Sequence, residues 1–191
     1  MASSAPHKVR GELFYFGGVM LRFFSEDAVS LHKEYLRQAR LRYSILEDGI
    51  KEIKNKKYED ILRQKMDKKD REDVLKELSD ITLHKVFFSS FSQYEYAPSA
   101  YVRDAFGSEA ELLNRVYSAC MSQDFGFVGV GLVRGKITVV KDTDRVRLLS
   151  YCVPRVAIDV CEHAYFLDYG FDKSRYLMAC LPFLDLEKLN S

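Results

Sequence analysis

Apolar positions return at helical spacing from residue 28 onward. Ala28, Leu31, Tyr35, Ala39 and Leu46 form one stripe, with His32, Leu36 and Tyr43 beside it. Ser25 precedes the stripe as an N-cap, and Glu26 and Asp27 suit the positive end of a helix. Asp48-Gly49 provides a stop. Residues 50–73 mix charges of both signs, the pattern of a solvated helix face or loop. Leu78, Ile81, Phe88 and Phe91 then predict a second helix, with His84 on its apolar stripe. Two such helices bury one seam as a hairpin. Pro98 ends this region, and Ala100 to Cys120 reads as one helix around Phe106, Leu112, Leu113 and Val116. From Phe125 the period changes. Residues 125–133 and 136–140 predict two strands joined by a turn at Arg134-Gly135, and a third strand near Arg155 to Val160 leads into a final helix. Before Ser25, Leu13 to Phe16 and Leu21 to Phe24 flank Gly17-Gly18 as an extended arm with a turn.

The expected fold is α+β. An N-terminal α-helical hairpin (1–95) packs on a C-terminal α/β domain (96–191) with a small, mainly antiparallel three-stranded sheet, and the boundary falls near 93–99. Of the 191 residues, 47% are hydrophobic and 30% charged, which leaves room for a substantial core. A net charge of +1 gives no electrostatic signal for nucleic acid or a strongly acidic partner. No apolar run is long enough to span a bilayer. The expectation is a soluble protein without membrane or nucleic-acid partners, in the cytoplasm, with a mitochondrial location left open. Cys120, Cys152, Cys161 and Cys180 contain no C-x-x-C pair and sit mostly among apolar neighbours, as reduced thiols packed like small hydrophobes would.

The candidate chemistry centres on Asp159-Val160-Cys161-Glu162-His163-Ala164-Tyr165-Phe166. A carboxylate at a strand end and an imidazole one helical turn later can converge on one ion. The chain has four histidines. His7 lies in the loose N-terminus, while His32 and His84 each lie on a predicted helix. A lone histidine on an apolar helix is usually a core residue, so either helix alone points to nothing.

The Asp159–Phe166 run resembles the metal-binding signature of the iron/manganese superoxide dismutases, D-V-W-E-H-A-Y-Y, with Cys161 at the Trp and Phe166 at the second Tyr. His84-Lys85-Val86-Phe87-Phe88 resembles the family's H-x-x-F-W, and Arg103-Asp104-Ala105-Phe106-Gly107-Ser108 resembles K-R-D-F-G-S. Tyr176-Leu177 and Asp185-Leu186-Glu187 resemble its last helix and tail. The resemblance implies one Fe or Mn per chain, iron slightly favoured, bound by His32, His84, Asp159 and His163. Imidazoles with one carboxylate suit these metals. It also implies a homodimer, in which Glu162 of one copy hydrogen-bonds the ligand His163 of the other. The implied activity is disproportionation of superoxide to O2 and H2O2. Two alternatives stay open: a metal-binding homologue with another redox or sensing role, and a structural subunit of a larger assembly.

Departures from the family pattern cluster around the ligands. The family's gateway Tyr, eight residues after the first ligand, is Arg40, and the His four residues after that ligand is Leu36. Val128, Val130, Cys161 and Phe88 stand where the family has Trp. The outer-sphere Gln falls at Asp80 in the iron-type position. In the manganese-type position, on the sheet, it falls at Asp144 or Arg145. Asp80 reads either as the outer-sphere replacement or as a solvent-facing helix residue. Arg40 reads either as a guanidinium steering the superoxide anion or as one of several arginines on an exposed helix face.

Overall fold

The computed structural model describes residues 15–16, 19–20, 23–54, 56, 58–92 and 100–190. His7, Gly17-Gly18, Pro98 and the expected boundary at 93–99 lie outside them. In chain order the elements are β1 (Tyr15–Phe16), β2 (Val19–Met20), α1 (Glu26–Gly49), a 3-10 turn (Lys51–Ile53), α2 (Tyr58–Leu62), α3 (Lys68–Ser89), α4 (Ala100–Phe106), α5 (Glu109–Met121), β3 (Phe127–Val133), β4 (Lys136–Asp142), α6 (Arg145–Tyr151), β5 (Val153–Asp159), α7 (Glu162–Tyr169) and α8 (Lys173–Cys180). Two further 3-10 turns, Leu181–Phe183 and Leu186–Asn190, complete the described chain. The fold is α+β, with an antiparallel sheet in the order β4-β3-β5.

The hairpin forms as its caps dictate. The Ser25 hydroxyl accepts from Ala28 N at 3.1 Å, and the Asp67 carboxylate accepts from Asp70 N at 2.9 Å. Helices α1 and α3 pack together. The buried stripe of α1 is Ala28, Val29, His32, Leu36 and Ala39, which leaves Leu31 and Tyr35 more exposed than the periodicity suggests. Phe91 lies beyond α3, bridging to Leu184. The charged stretch 50–73 is not wholly solvated: Ile50, Ile53 and Ile61 fold onto Val74 and Leu75 as a small second core. Its apolar residues are too sparse among the charges to show a period.

One main core runs through both halves of the chain. It joins Leu36, Phe87 and Phe91 to Leu112, Phe127, Leu148, Ile158, Tyr176 and Leu177. Two long-range pins position its parts. Ser90 Oγ accepts from Ala157 N at 2.8 Å, which registers the end of α3 on β5. Ser25 N donates to Asp168 Oδ2 at 2.8 Å, and Tyr169 Oη donates to Phe23 O, which fixes the start of α1 on α7.

The single helix expected over 100–120 is two helices. Gly107 has φ +88, a conformation that breaks the helix at little cost only for glycine. Ser108 then restarts it, its hydroxyl accepting from Glu111 N at 3.1 Å. The signal was present as Gly-Ser-x-x-Glu, a capping box after a break. Ser108→Ala is expected to lower stability by about 1 kcal/mol, read by denaturant midpoint. The final helix is likewise two: α7 stops at Gly170, φ +58, and α8 restarts after the Asp172 cap.

Candidate metal centre

Four side chains from four elements meet at one point. His32 comes from α1, His84 from α3, Asp159 from the last residue of β5 and His163 from the first turn of α7. Their ligating atoms all lie within 4.8 Å of one another. Asp159 Oδ2 is 3.4 Å from His32 Nε2, 3.6 Å from His84 Nε2 and 3.0 Å from His163 Nε2. None of these four atoms has a hydrogen-bond partner among the described residues, although all are buried. Buried polar atoms left unpaired are costly, so four together need an explanation.

A metal ion supplies one. Two donor atoms each about 2.1 Å from one ion stand about 3.0 Å apart at a right angle and about 3.6 Å apart at 120°. The three separations from Asp159 Oδ2 fall within that span. The donor set also fits: three imidazole nitrogens and one carboxylate oxygen suit iron or manganese.

The surrounding contacts fix each donor. Asp159 Oδ1 accepts from Cys161 N at 2.9 Å, which turns Oδ2 toward the imidazoles. His84 Nδ1 lies 2.8 Å from the Asp80 carbonyl. A carbonyl only accepts, so Nδ1 carries the proton and Nε2 the free lone pair. His32 is enclosed by Phe87 and Phe88, ring centroids 4.9 and 4.8 Å away. Burial pushes its pKa down to about 4, against the pull of Asp159, so it is a neutral donor at pH 7. Burial would raise the Asp159 carboxyl, but the imidazoles around it, His163 foremost, hold it well below the usual carboxylate range.

Asp80 does not face solvent; it is 4% exposed. Its Oδ1 lies 3.3 Å from His84 Nδ1 and 3.1 Å from Arg145 Nε. Burial would raise its pKa, but His84 and Arg145 override this and keep it ionised. The two positions where the resemblance puts an outer-sphere Gln therefore meet each other, one from α3 and one from α6. Of Asp144 and Arg145, it is Arg145 that meets Asp80, while the Asp144 carboxylate caps α6 by accepting from Arg147 N at 3.1 Å. Arg145 opens that helix and is not on the sheet. Its guanidinium lies over the Phe127 ring at 5.5 Å and approaches Cys161 Sγ at 3.7 Å. Burial pushes the Cys161 thiol up to about 12, so it is a neutral thiol.

Arg40 is exposed and about 12 Å further along the α1 axis than His32. Tyr35 is the residue that sequence reasoning missed. It stacks on His163 with ring centroids 4.2 Å apart and planes 7° apart, and it is 37% exposed. Its spacing of three from His32 brings the two near each other on the helix, but that spacing alone does not say which stripe of α1 faces the site. Glu162 is exposed beside His163.

The turn from β4 into α6 aims Arg145, and Asp142 braces that turn. Arg147 grips Asp142 with two bonds, Nε to Oδ2 at 2.7 Å and Nη2 to Oδ1 at 2.8 Å, and Asp144 N donates to Asp142 Oδ1. Burial would raise the Asp142 carboxyl, but Arg147 and the Asp144 N–H override it and lower its pKa. A lowered folded-state pKa stabilises above the ordinary carboxylate value, about 4, and that contribution is lost as pH falls through the folded value. The stability gap between wild type and Asp142→Asn is therefore expected to be constant near neutrality and to shrink below about pH 4, read by thermal midpoints across pH.

Taken together, the α+β architecture and a buried three-His, one-Asp centre between helices and sheet define a metalloprotein class. Residues 95–191 match the iron/manganese superoxide dismutases, C-terminal domain. The chain belongs to the iron/manganese superoxide dismutase family, whose members bind iron or manganese. No curated protein matches it. The family match contains Asp159 and His163; His32 and His84 precede it and reach the site through the fold. Among the described residues, no helix is long and apolar enough to cross a membrane.

Proposed function

We propose that the protein is a superoxide dismutase with an altered outer shell, holding one Fe or Mn per chain, iron slightly favoured, on His32, His84, Asp159 and His163. The observation that carries the reading is the convergence of four buried, unpartnered donor atoms within 4.8 Å. When bound, the ion supplies one-electron redox chemistry, so that two superoxide anions and two protons give one O2 and one H2O2. The chain supplies the rest. Phe87, Phe88 and Phe127 pack against His32 and His84 and keep water from those imidazoles. Asp159 contributes negative charge that favours a cation. His163, with 19% of its side chain exposed, and the half-open Tyr35 mark the side from which a small anion and solvent protons arrive. Burial raises the Tyr35 pKa, so this phenol stays protonated.

Further parts of the proposal are a homodimer, with Glu162 of one copy hydrogen-bonding His163 of the other, and a cytoplasmic location. A second reading, a metal-binding homologue with another redox or sensing role, is favoured by one observation. The Asp80–Arg145 pair stands where the resemblance placed an outer-sphere Gln.

Rapid mixing of superoxide with iron- or manganese-loaded protein separates the two. The dismutase reading expects accelerated decay, with one O2 and one H2O2 for each two superoxide consumed. Metal-loaded protein that leaves the decay at its uncatalysed rate favours the second reading.

A further inference from the structure

We infer that Asp80 and Arg145 act as opposed positioning charges that set the redox potential of the ion held by His32, His84, Asp159 and His163; this inference rests on the metal-centre reading. The pair spans two elements, α3 and α6, and enters the site through one ligand. Asp80 Oδ1 is 3.3 Å from Nδ1 of His84, the nitrogen opposite the donor Nε2, and Arg145 Nε is 3.1 Å from the same oxygen. Neither Asp80 Oδ1 nor Arg145 Nε has an aligned hydrogen-bond partner among the described residues, so their contact is an ion pair in character. Both groups are largely removed from solvent, with side chains 6% and 24% exposed, where charges are weakly screened.

The signs follow from Coulomb's law. A carboxylate near the ion favours its more positive state and lowers the potential. A guanidinium favours the less positive state and raises it. Because the two charges oppose each other, each masks part of the other. Arg145 is also held over Phe127 and against Cys161 Sγ, so the balance is fixed by geometry and not by a mobile side chain. Asp80 has a second influence, because a carboxylate beside Nδ1 makes the imidazole a more basic donor.

A purely structural pair behaves differently. Breaking it from either side would loosen the same contact between α3 and α6, so both single variants would change the protein in the same direction. A potential-setting pair gives shifts of opposite sign that offset one another when combined.

The test is a mediated redox titration of metal-loaded wild type, Asp80→Asn, Arg145→Gln, Arg145→Lys and the double variant D80N/R145Q, followed by the optical or EPR signal of the ion, with metal content measured on each sample. Arg145→Gln is expected to lower the midpoint potential and Asp80→Asn to raise it. The double variant is expected to fall between them, and Arg145→Lys, which keeps the charge, to stay near wild type. If Arg145→Gln takes up no metal, the near-isosteric Asp80→Asn and the charge-conserving Arg145→Lys still decide the matter, by one shifting upward and the other not. Loaded variants with unmoved potentials, or with shifts of one sign, overturn this inference alone. Wild-type protein that takes up no redox-active ion overturns the metal-centre reading and this inference with it.

Discussion

Asp159→Ala is expected to remove stoichiometric metal binding. Asp159 Oδ2 lies within 3.6 Å of all three imidazole donors, and the residue is fully buried. It is also the only anionic member of the donor set, so its loss leaves three imidazoles facing a cation without charge compensation. Changes one shell further out in metal sites already cost roughly 10–100-fold in affinity, so loss of this ligand is expected to cost at least about 100-fold. Asp159→Asn sharpens the test. It retains an amide oxygen that can accept from Cys161 N as Oδ1 does now at 2.9 Å, while removing the charge. The asparagine variant is therefore expected to fold with near wild-type content of secondary structure by circular dichroism and still to bind metal poorly in competition against a chelator. Retention of wild-type affinity in both variants contradicts the assignment of Asp159.

Gly131→Ala is expected to be the most damaging single methyl added to the sheet. A Cβ at Gly131 would lie 2.1 Å from Val153 O and 2.6 Å from Pro154 Cα, both backbone atoms of β5. No rotamer change relieves a clash with backbone, so β5 must move away from β3. The register already shifts between Val130 and Gly131, where β3 leaves regular pairing with β5. The expected loss is about 3 kcal/mol or more, at the upper end for overpacking, seen as a lower denaturant midpoint. Because β5 carries Asp159, metal affinity is expected to fall as well. Gly129→Ala is the control on the same strand. Its Cβ would meet Pro154 Cβ at 3.4 Å and Val140 Cγ2 at 3.5 Å, nearly ordinary contacts with side chains, so a much smaller change is expected.

The parts of this fold that were legible in the sequence are those set by local chemistry. Ser25 before an apolar stripe marks a helix start wherever it occurs, and Gly135, at φ +77, suits the turn that joins the two β-rich runs, with Arg134 at φ +50 before it. Asp159 and His163 were legible because their spacing is fixed by the strand-to-helix junction that holds them. What escaped was set by long-range geometry. Leu31 and Tyr35 satisfy the helical period as well as His32 and Leu36 do, and only the packing of α1 on α3 and α7 decides which stripe is buried. Tyr35 thereby became a cover for His163. Asp80 stayed open between an outer-sphere group and a solvent-facing residue because its partner, Arg145, is 65 residues away in sequence, and the β4-to-α6 turn that aims Arg145 depends on the Asp142 grip. Arg40 shows the converse. Counting from His32 left Arg40 between a steering guanidinium and an arginine on an exposed helix face, and the helix carries it to the exposed surface.

The central claim, that His32, His84, Asp159 and His163 hold a redox metal, is tested most directly by elemental analysis of protein purified without added metal, paired with Asp159→Ala purified in the same way. The expected result is about one iron or manganese per wild-type chain and little in the variant. No iron or manganese in the wild type even after reconstitution, or equal metal in both proteins, contradicts it.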